Sequence, residues 1–298
     1  MARVLLIMNP AAARTRAPAV TAVLDTLRSA GWQAEVLATG GPGDARRLAE
    51  AGVRDGVDVV AVFGGDGTTM QAAAALVGTD VALGLIPGGT GNLLAGNLRV
   101  PTNPARAAAA LVRGRQRPFD LGHMQRADGE HYFAVACGCG YDARVMTETA
   151  SEAKRRWGIG AYMATVWRLM PELRSVRHLI TVDGVEYEAN AAMLLVANCG
   201  EIIPPFVRLR PEVAPDDGIL DVVVLRANNA AESARAIWQA VRNRAPAIPE
   251  EALVGYARGR EIRVESFPPQ PVQLDGEGGG ATPFTARIVP GAVRIVVP

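Results

Sequence analysis

In "VDVVAVFGGDGTTMQAAAALV", residues 57–77, an apolar run ends at Phe63 and stops at Gly64-Gly65-Asp66-Gly67-Thr68-Thr69; an alanine-rich run follows at once. A nearly all-apolar run is what a strand covered on both faces needs, as in a parallel sheet. The alanine-rich run predicts a helix from Thr69 to Val77. One strand later, "VALGLIPGGTGNLLAGNL", residues 81–98, repeats the arrangement: strand, then Pro87-Gly88-Gly89-Thr90-Gly91-Asn92, then an apolar helix start. Ligands of parallel sheets bind beyond the carboxyl ends of the strands. Glycines let the backbone turn tightly and approach phosphate, and a following helix offers N–H groups and a positive dipole end. Two such loops after consecutive strands face one crevice, a nucleotide site with the Thr90 hydroxyl and the Asn92 amide available. Neither loop is G-x-G-x-x-G or G-x-x-x-x-G-K-[ST], and no lysine stands nearby. Asp66 therefore either holds Mg²⁺, or a water on it, or caps the helix.

Outward from this stretch, residues 4–8 read as a strand closed by Asn9-Pro10, 17–31 as a helix, 32–39 as a strand, and 43–56 and 103–113 as helices. The alternation predicts a parallel sheet with helices on both faces, a three-layer α/β domain over residues 1–120. Residues 121–298 change rhythm. Short β-rich runs such as "HYFAVACG", "HLITVDGVEYEAN", "ILDVVVL" and "FTARIVPGAVRIVVP" are separated by Asp183-Gly184, Asp217-Gly218 and Pro290-Gly291. They predict an antiparallel β-sandwich, with the last strand able to return to the first domain. Helical segments are expected over 151–173 and 230–243, and "GEGGGATP", residues 276–283, reads as a glycine-rich loop. The fold class is α/β plus β.

With 298 residues, 49% apolar, 20% charged and a net charge of +1, the chain suits two globular domains and gives no reason to expect nucleic-acid binding. Three cysteines, Cys137, Cys139 and Cys199, argue against a disulfide framework and fit a reducing cytosol. Cys137-Gly138-Cys139 could be a redox or metal pair, but an apolar strand-like run without partner ligands favours plain core. No run is long enough to span a membrane. The expected location is cytoplasmic, with room for peripheral contact at a membrane.

The two glycine motifs, with Leu93-Leu94-Ala95 after the second, resemble the diacylglycerol kinase catalytic domain, and more closely the bacterial lipid kinases of that superfamily. Asn9-Pro10, Asp120-Leu121-Gly122, "APDDGILDVVVL" (214–225) and "LDGE" (274–277) extend the resemblance over essentially the whole chain. It implies an ATP- and Mg²⁺-dependent kinase of a lipid hydroxyl, such as that of diacylglycerol, phosphatidylglycerol, a sphingoid base or an undecaprenyl-like alcohol. Asn9, Gly64, Gly65, Asp66, Gly67, Thr68, Thr69, Gly89, Thr90 and Asn92 would bind nucleotide, with Thr39 as a further contact. Glu277 would be the general base. Asp66 and Asp120 would serve catalytic Mg²⁺, and Asp217 with the carbonyls of Ala214 and Ile219 a structural Mg²⁺. Two departures stand out. Leu93 occupies the place of an aspartate common among relatives, and "NPAAARTR" lacks their Ser-Gly, leaving Arg14 or Arg16 to supply positive charge.

Glu277 by itself could be a solvated turn residue, and NAD kinases share only the first loop. A non-catalytic nucleotide- or lipid-binding protein on the same scaffold is the alternative that Leu93 keeps open. A Rossmann oxidoreductase would need a glycine fingerprint after the first strand, which is absent. Residues 153–178 combine basic residues with Trp157, Tyr162, Met163 and Trp167, as an interfacial helix on anionic lipid would, or as an ordinary helix packed on the sandwich would. "CGEIIPPFVRLRP" (199–211) is either a lipid entrance or a core-lining loop. The three histidines receive no role, and a homodimer is possible without a specific signal for it.

Overall fold

The computed structural model of the chain describes residues 1–149, 159–169, 174–203, 207–209, 212–227, 232, 248 and 253–298. The chain divides into two compact units, Met1–Phe119 with Gly291–Pro298, and Asp120–Pro290.

In the first unit, β1 (Arg3–Met8), β2 (Gln33–Ala38), β3 (Val59–Gly64) and β4 (Ala82–Pro87) form a parallel sheet in the order β2-β1-β3-β4. Every residue of β3 and β4 is buried, which is why both sequences are continuous apolar runs. Helix α1 (Ala17–Ser29) carries the chain from β1 outward to β2, whereas α2 (Asp44–Arg54) and α3 (Asp66–Leu76) carry it the other way. Right-handed crossovers then place α1 on one face and α2 and α3 on the other. Accordingly α2 packs on α3, and α1 packs on α5 (Pro104–Arg113), which follows the short α4 (Leu93–Asn97). Asn103 caps α5 by accepting from the Arg106 N–H at 3.1 Å, with Pro104 in its first turn. The strand order reverses between β1 and β3, so the ligand crevice of this architecture opens beyond Met8 and Gly64.

The second unit is an antiparallel sandwich. One sheet runs β14 (Val254–Gly259), β13 (Leu220–Leu225), β10 (Met193–Ala197), β7 (Ala136–Gly140), β16 (Pro271–Leu274), β17 (Glu277–Ala281). The other includes β9 (Val185–Ala191), β8 (Val176–Val182), β15 (Glu261–Phe267) and the first part of β18 (Phe284–Val297). Met124, Phe133, Leu194, Val222, Val264 and Phe284 belong to one core between them. Asp183-Gly184 makes the expected two-residue hairpin, with both φ positive at 48° and 85°. Strands β5 (Arg115–Arg126), β6 (Gly129–Phe133), β11 (Glu201–Ile203) and β12 (Val207–Arg208) complete the described strands.

Several local expectations are corrected. Helix α3 begins at Asp66, not Thr69, so Gly64 closes a strand, Gly65 is the N-cap and Asp66 to Thr69 are the first helical turn. "HYFAVACG" is two strands broken at Ala134-Val135, and "GEGGGATP" contains the edge strand β17. Glycine suits both Gly278 and Gly280 there: a Cβ at Gly278 would run into Thr147, and Gly280 sits at φ 73°. Pro290-Gly291 is no hairpin. Strand β18 runs through it, antiparallel to β15 before and parallel to β4 after, with Gly291 at φ 57°. A helix not expected from sequence, α6 (Tyr141–Glu148), follows β7. Of the helix expected over 151–173, Ile159–Leu169 is helical, here α7; the one expected over 230–243 lies outside the described residues apart from Glu232.

Candidate functional site

In the first unit the two glycine turns are packed backbone against backbone. The N–H groups of Gly88 and Gly89 both donate to the Gly64 carbonyl, at 2.7 and 3.1 Å. A Cβ at Gly89 would lie 2.7 Å from the Gly65 Cα, and one at Gly88 would lie 3.1 Å from the Gly64 nitrogen. The glycines are therefore demanded by the contact of the two loops as well as by room for a ligand. Asp66 spans the same junction. Its Oδ1 accepts weakly from the Leu94 N–H at 3.4 Å, and its Oδ2 faces Gly91, where a Cβ would come within 2.9 Å. A small cleft lies here, lined among others by Gly64, Gly65, Asp66, Thr69 and Asn92.

The other expected nucleotide residues divide by what their side chains do. Asn9 stitches β1 to α3: its N–H donates to the Phe63 carbonyl at 3.0 Å and its Nδ2 to Thr68 Oγ1 at 2.9 Å, while its Oδ1 accepts from the Ala11 N–H at 2.9 Å. Thr69 Oγ1 donates to the Gly65 carbonyl at 3.0 Å. Asn92, in the left-handed region at φ 52°, accepts from the Gly89 N–H at 2.9 Å and donates to the Gly89 carbonyl at 2.7 Å. These two bonds close its own loop. Gly67 lies in the first turn of α3, and no side chain caps that helix. Thr90 is exposed. Thr39 follows β2, its N–H donating to the Met8 carbonyl at 2.9 Å beside Asn9. Arg14, not Arg16, reaches the second loop, through Nη1 to the Gly89 carbonyl at 3.0 Å.

In the second unit Glu277 is exposed at the start of β17, directly after the two-residue turn Asp275-Gly276, whose φ values are 47° and 83°. Asp275 is buried and accepts three backbone N–H bonds, from Ala134, Val135 and Ala136 at 2.8–3.0 Å. Burial outweighs those donors and pushes its carboxyl up to about 6. It remains an acceptor at neutral pH, and it explains the break between β6 and β7. In the sequence Asp275 stands only as part of "LDGE"; nothing local announces its clamp on residues about 140 positions away.

The Asp66 carboxylate fits Mg²⁺: a half-exposed hard oxygen ligand in a glycine-walled cleft. The expected structural Mg²⁺ does not fit. Asp217 Oδ1 accepts from the Ile219 N–H at 3.0 Å, and Oδ2 pairs with Arg258 at 2.5 Å. Arg258 also holds the buried Asp221 at 2.8 Å. A guanidinium already neutralises the carboxylate that was to work with the Ala214 and Ile219 carbonyls. Asp120, almost fully buried, binds the Gly218 N–H at 2.7 Å, and its own N–H donates to the Pro215 carbonyl at 2.8 Å. It braces this turn. Among the described residues no group of three or more His, Cys, Asp or Glu is placed to hold a metal.

Cys137 and Cys139 are fully buried, and burial raises both thiols, so neither is poised for redox work. His178 is buried between Ser266 Oγ and the Ala191 carbonyl at 2.9 and 3.1 Å; burial lowers its pKa and keeps it neutral. Of the basic and aromatic stretch, Trp167 on α7 is 66% exposed. Arg168 pairs with Glu148, and Arg177 with Glu188. Lys154, Arg155, Arg156 and Trp157 lie outside the described residues, as do parts of 199–211. No helix among the described residues is long and apolar enough to cross a membrane.

Known proteins match this architecture. Residues 3–124 match the diacylglycerol kinase catalytic domain, and residues 135–297 the YegS C-terminal NAD kinase beta sandwich-like domain. The chain is 30% identical to the diacylglycerol kinase of Bacillus subtilis (strain 168), over 95% of this chain and 92% of that one. It is also 30% identical to the diacylglycerol kinase of Mycobacterium tuberculosis (strain ATCC 25618 / H37Rv), over 86% and 82%. A crystal structure from Bacillus anthracis str. Sterne superposes with a TM-score of 0.81 at 27% identity, over 99% of this chain and 95% of that one. A diacylglycerol kinase from the same organism shares the fold, with a TM-score of 0.75 at 24% identity over 99% and 97%. With both halves matched and near-full-length relatives at 30% identity, the chain belongs to the diacylglycerol kinase family of lipid kinases.

Proposed function

We propose that the chain transfers the γ-phosphoryl group of ATP, with Mg²⁺, to the hydroxyl of a lipid such as diacylglycerol. The observation that carries the reading is the backbone-to-backbone packing of Gly64-Gly65 and Gly88-Gly89 at the reversal of strand order, with Asp66 beside it. Phosphoryl transfer asks for positioning and charge neutralisation more than covalent chemistry. The uncapped first turn of α3 and the glycine backbones bind phosphate oxygens. Arg14, tied to Gly89, adds positive charge, and the Thr90 hydroxyl and Thr39 contact the nucleotide. Asp66 would hold Mg²⁺, directly or through water, and the ion would neutralise charge on the phosphates. Leu93 offers no second carboxylate, so Asp66 bears that task without it. Glu277 takes the proton from the lipid hydroxyl, a role typically contributing about 10²–10⁴-fold. The exposed Trp167 beside Arg168 supports transient contact with a membrane surface.

The test is transfer of radiolabelled phosphate from ATP and Mg²⁺ to detergent-dispersed lipids, comparing wild type with Glu277→Gln. Label on a lipid, lost in the variant, is the expected result and names the acceptor. ATP binding without label on any lipid would favour a non-catalytic binder, for which Leu93 is the motivating feature.

A further inference from the structure

Behind the turn that carries Glu277 lies a buried polar relay. Asp142, in the first turn of α6, is 8% exposed; its Oδ2 accepts from Gln273 Nε2 at 3.1 Å, and its Oδ1 has no partner among the described residues. Gln273, on β16 and 4% exposed, accepts through Oε1 from the Gly276 N–H at 2.9 Å. The space is built around the carboxylate: a Cβ at Gly138 would come 2.7 Å from Asp142 Oδ2. The relay has a direction. An amide offers a donor at one end and an acceptor at the other. Asp142 as acceptor fixes Nε2 inward, so Oε1 must face the turn and take the Gly276 N–H. Without an acceptor at 142 the amide can reverse, and its NH₂ then opposes the Gly276 N–H, donor against donor.

We propose that Asp142 is a positioning residue which, through Gln273, sets the Asp275-Gly276 turn and thereby Glu277; the role at Glu277 rests on the reading above. Burial alone does not account for an acid at 142, since an apolar side chain would fill the same space without the cost of an unpartnered buried oxygen.

The experiment compares Asp142→Leu, Asp142→Asn and Gln273→Met with wild type and Glu277→Gln in the full chain. It measures kcat and KM for ATP, and hydrogen exchange of the 275–278 amides. The Leu and Met variants should lower kcat about 10- to 100-fold, as a misplaced base would, with KM for ATP unchanged. They should also speed exchange at Gly276. Asn, which can present its carbonyl to Gln273, should stay within about twofold of wild type. The Met variant decides the matter if the Leu variant fails to fold. Unchanged exchange, or faster exchange with unchanged kcat while Glu277→Gln is inactive, overturns the relay. An Asn variant as impaired as Leu also overturns it. An active Glu277→Gln overturns instead the base assignment beneath the proposal, whatever the exchange shows.

Discussion

Asp66 and Asp142 are both carboxylates in the first turn of a helix, yet their surroundings give them opposite tasks. Asp66 is half exposed among glycines. Asp66→Asn should reduce phosphoryl transfer at least about 100-fold while leaving the melting temperature within a degree or two, because little apolar packing changes; an active Asp66→Asn would remove it from the phosphate chemistry. Asp142 is buried, and burial pushes its carboxyl to about 7 from 3.8, against the opposing pull of the neighbouring backbone N–H groups at the helix start and of Gln273. The folded state then holds more protons than the unfolded state between those values. Stability from this group falls as pH rises from about 4 to about 7 and is flat above. The whole span is about 4 kcal/mol at most. Asp142→Asn lacks that slope, so its melting temperature should gain on wild type between pH 5 and pH 8; a constant difference across the range would show that the carboxyl is not so shifted. Arg258 is the third decisive side chain. Since its guanidinium already pairs with Asp217 through Nη2 and with Asp221 through Nε, chelating Mg²⁺ from the nucleotide-free protein should leave the melting temperature unchanged. A drop of several degrees on chelation would return Asp217 to a metal role.

At the scale of elements, what was legible in the sequence is what local pattern dictates. Strands β3 and β4 are buried on both faces, so their runs are apolar and their ends abrupt, and the two glycine turns could be placed between them. Position within the turns was less legible, because Asp66, Gly67 and Thr68 read as loop residues until Asn9, just past the end of β1, is seen to bond Thr68 in a helical turn. Glycine at 278–280 hides a strand for a similar reason: part of the demand comes from Thr147, remote in sequence. The loop-to-loop packing yields its own test. Gly89→Ala would drive a Cβ toward the Gly65 backbone, which has no side chain to yield. It should cost roughly 1–3 kcal/mol of stability and weaken ATP binding measured by calorimetry. Gly279→Ala, where a Cβ meets nothing within 4 Å, should leave stability unchanged. If Gly89→Ala behaves like Gly279→Ala, the contact between the two loops is not tight.

At the scale of the whole molecule, the chain's order and its units do not coincide. Pro290-Gly291 has the composition of a hairpin turn, and sequence cannot distinguish that from a strand that changes partners, since both need a residue at positive φ. The change of partners has an energetic consequence for the first unit. Residues Gly291–Pro298 belong to it, with Arg294 and Ile295 paired to Ala82 and Leu83 of β4. Ala292, Val293, Ile295 and Val296 are all buried. Burying a Val or Ile contributes about 1.5–3 kcal/mol, so these few side chains amount to several kcal/mol. A domain's whole net stability is only about 5–15 kcal/mol. Without the segment, β4 would also present an unpaired, fully apolar edge. We therefore infer that the nucleotide-binding domain is residues 1–119 together with 291–298, not 1–120 alone. Residues 1–119 expressed by themselves should aggregate or unfold at markedly lower urea than the same fragment carrying 291–298 on a flexible linker, which should also recover ATP binding. Equal urea midpoints for the two fragments would show that the returning segment is dispensable and that the first domain ends where the linear sequence first suggested.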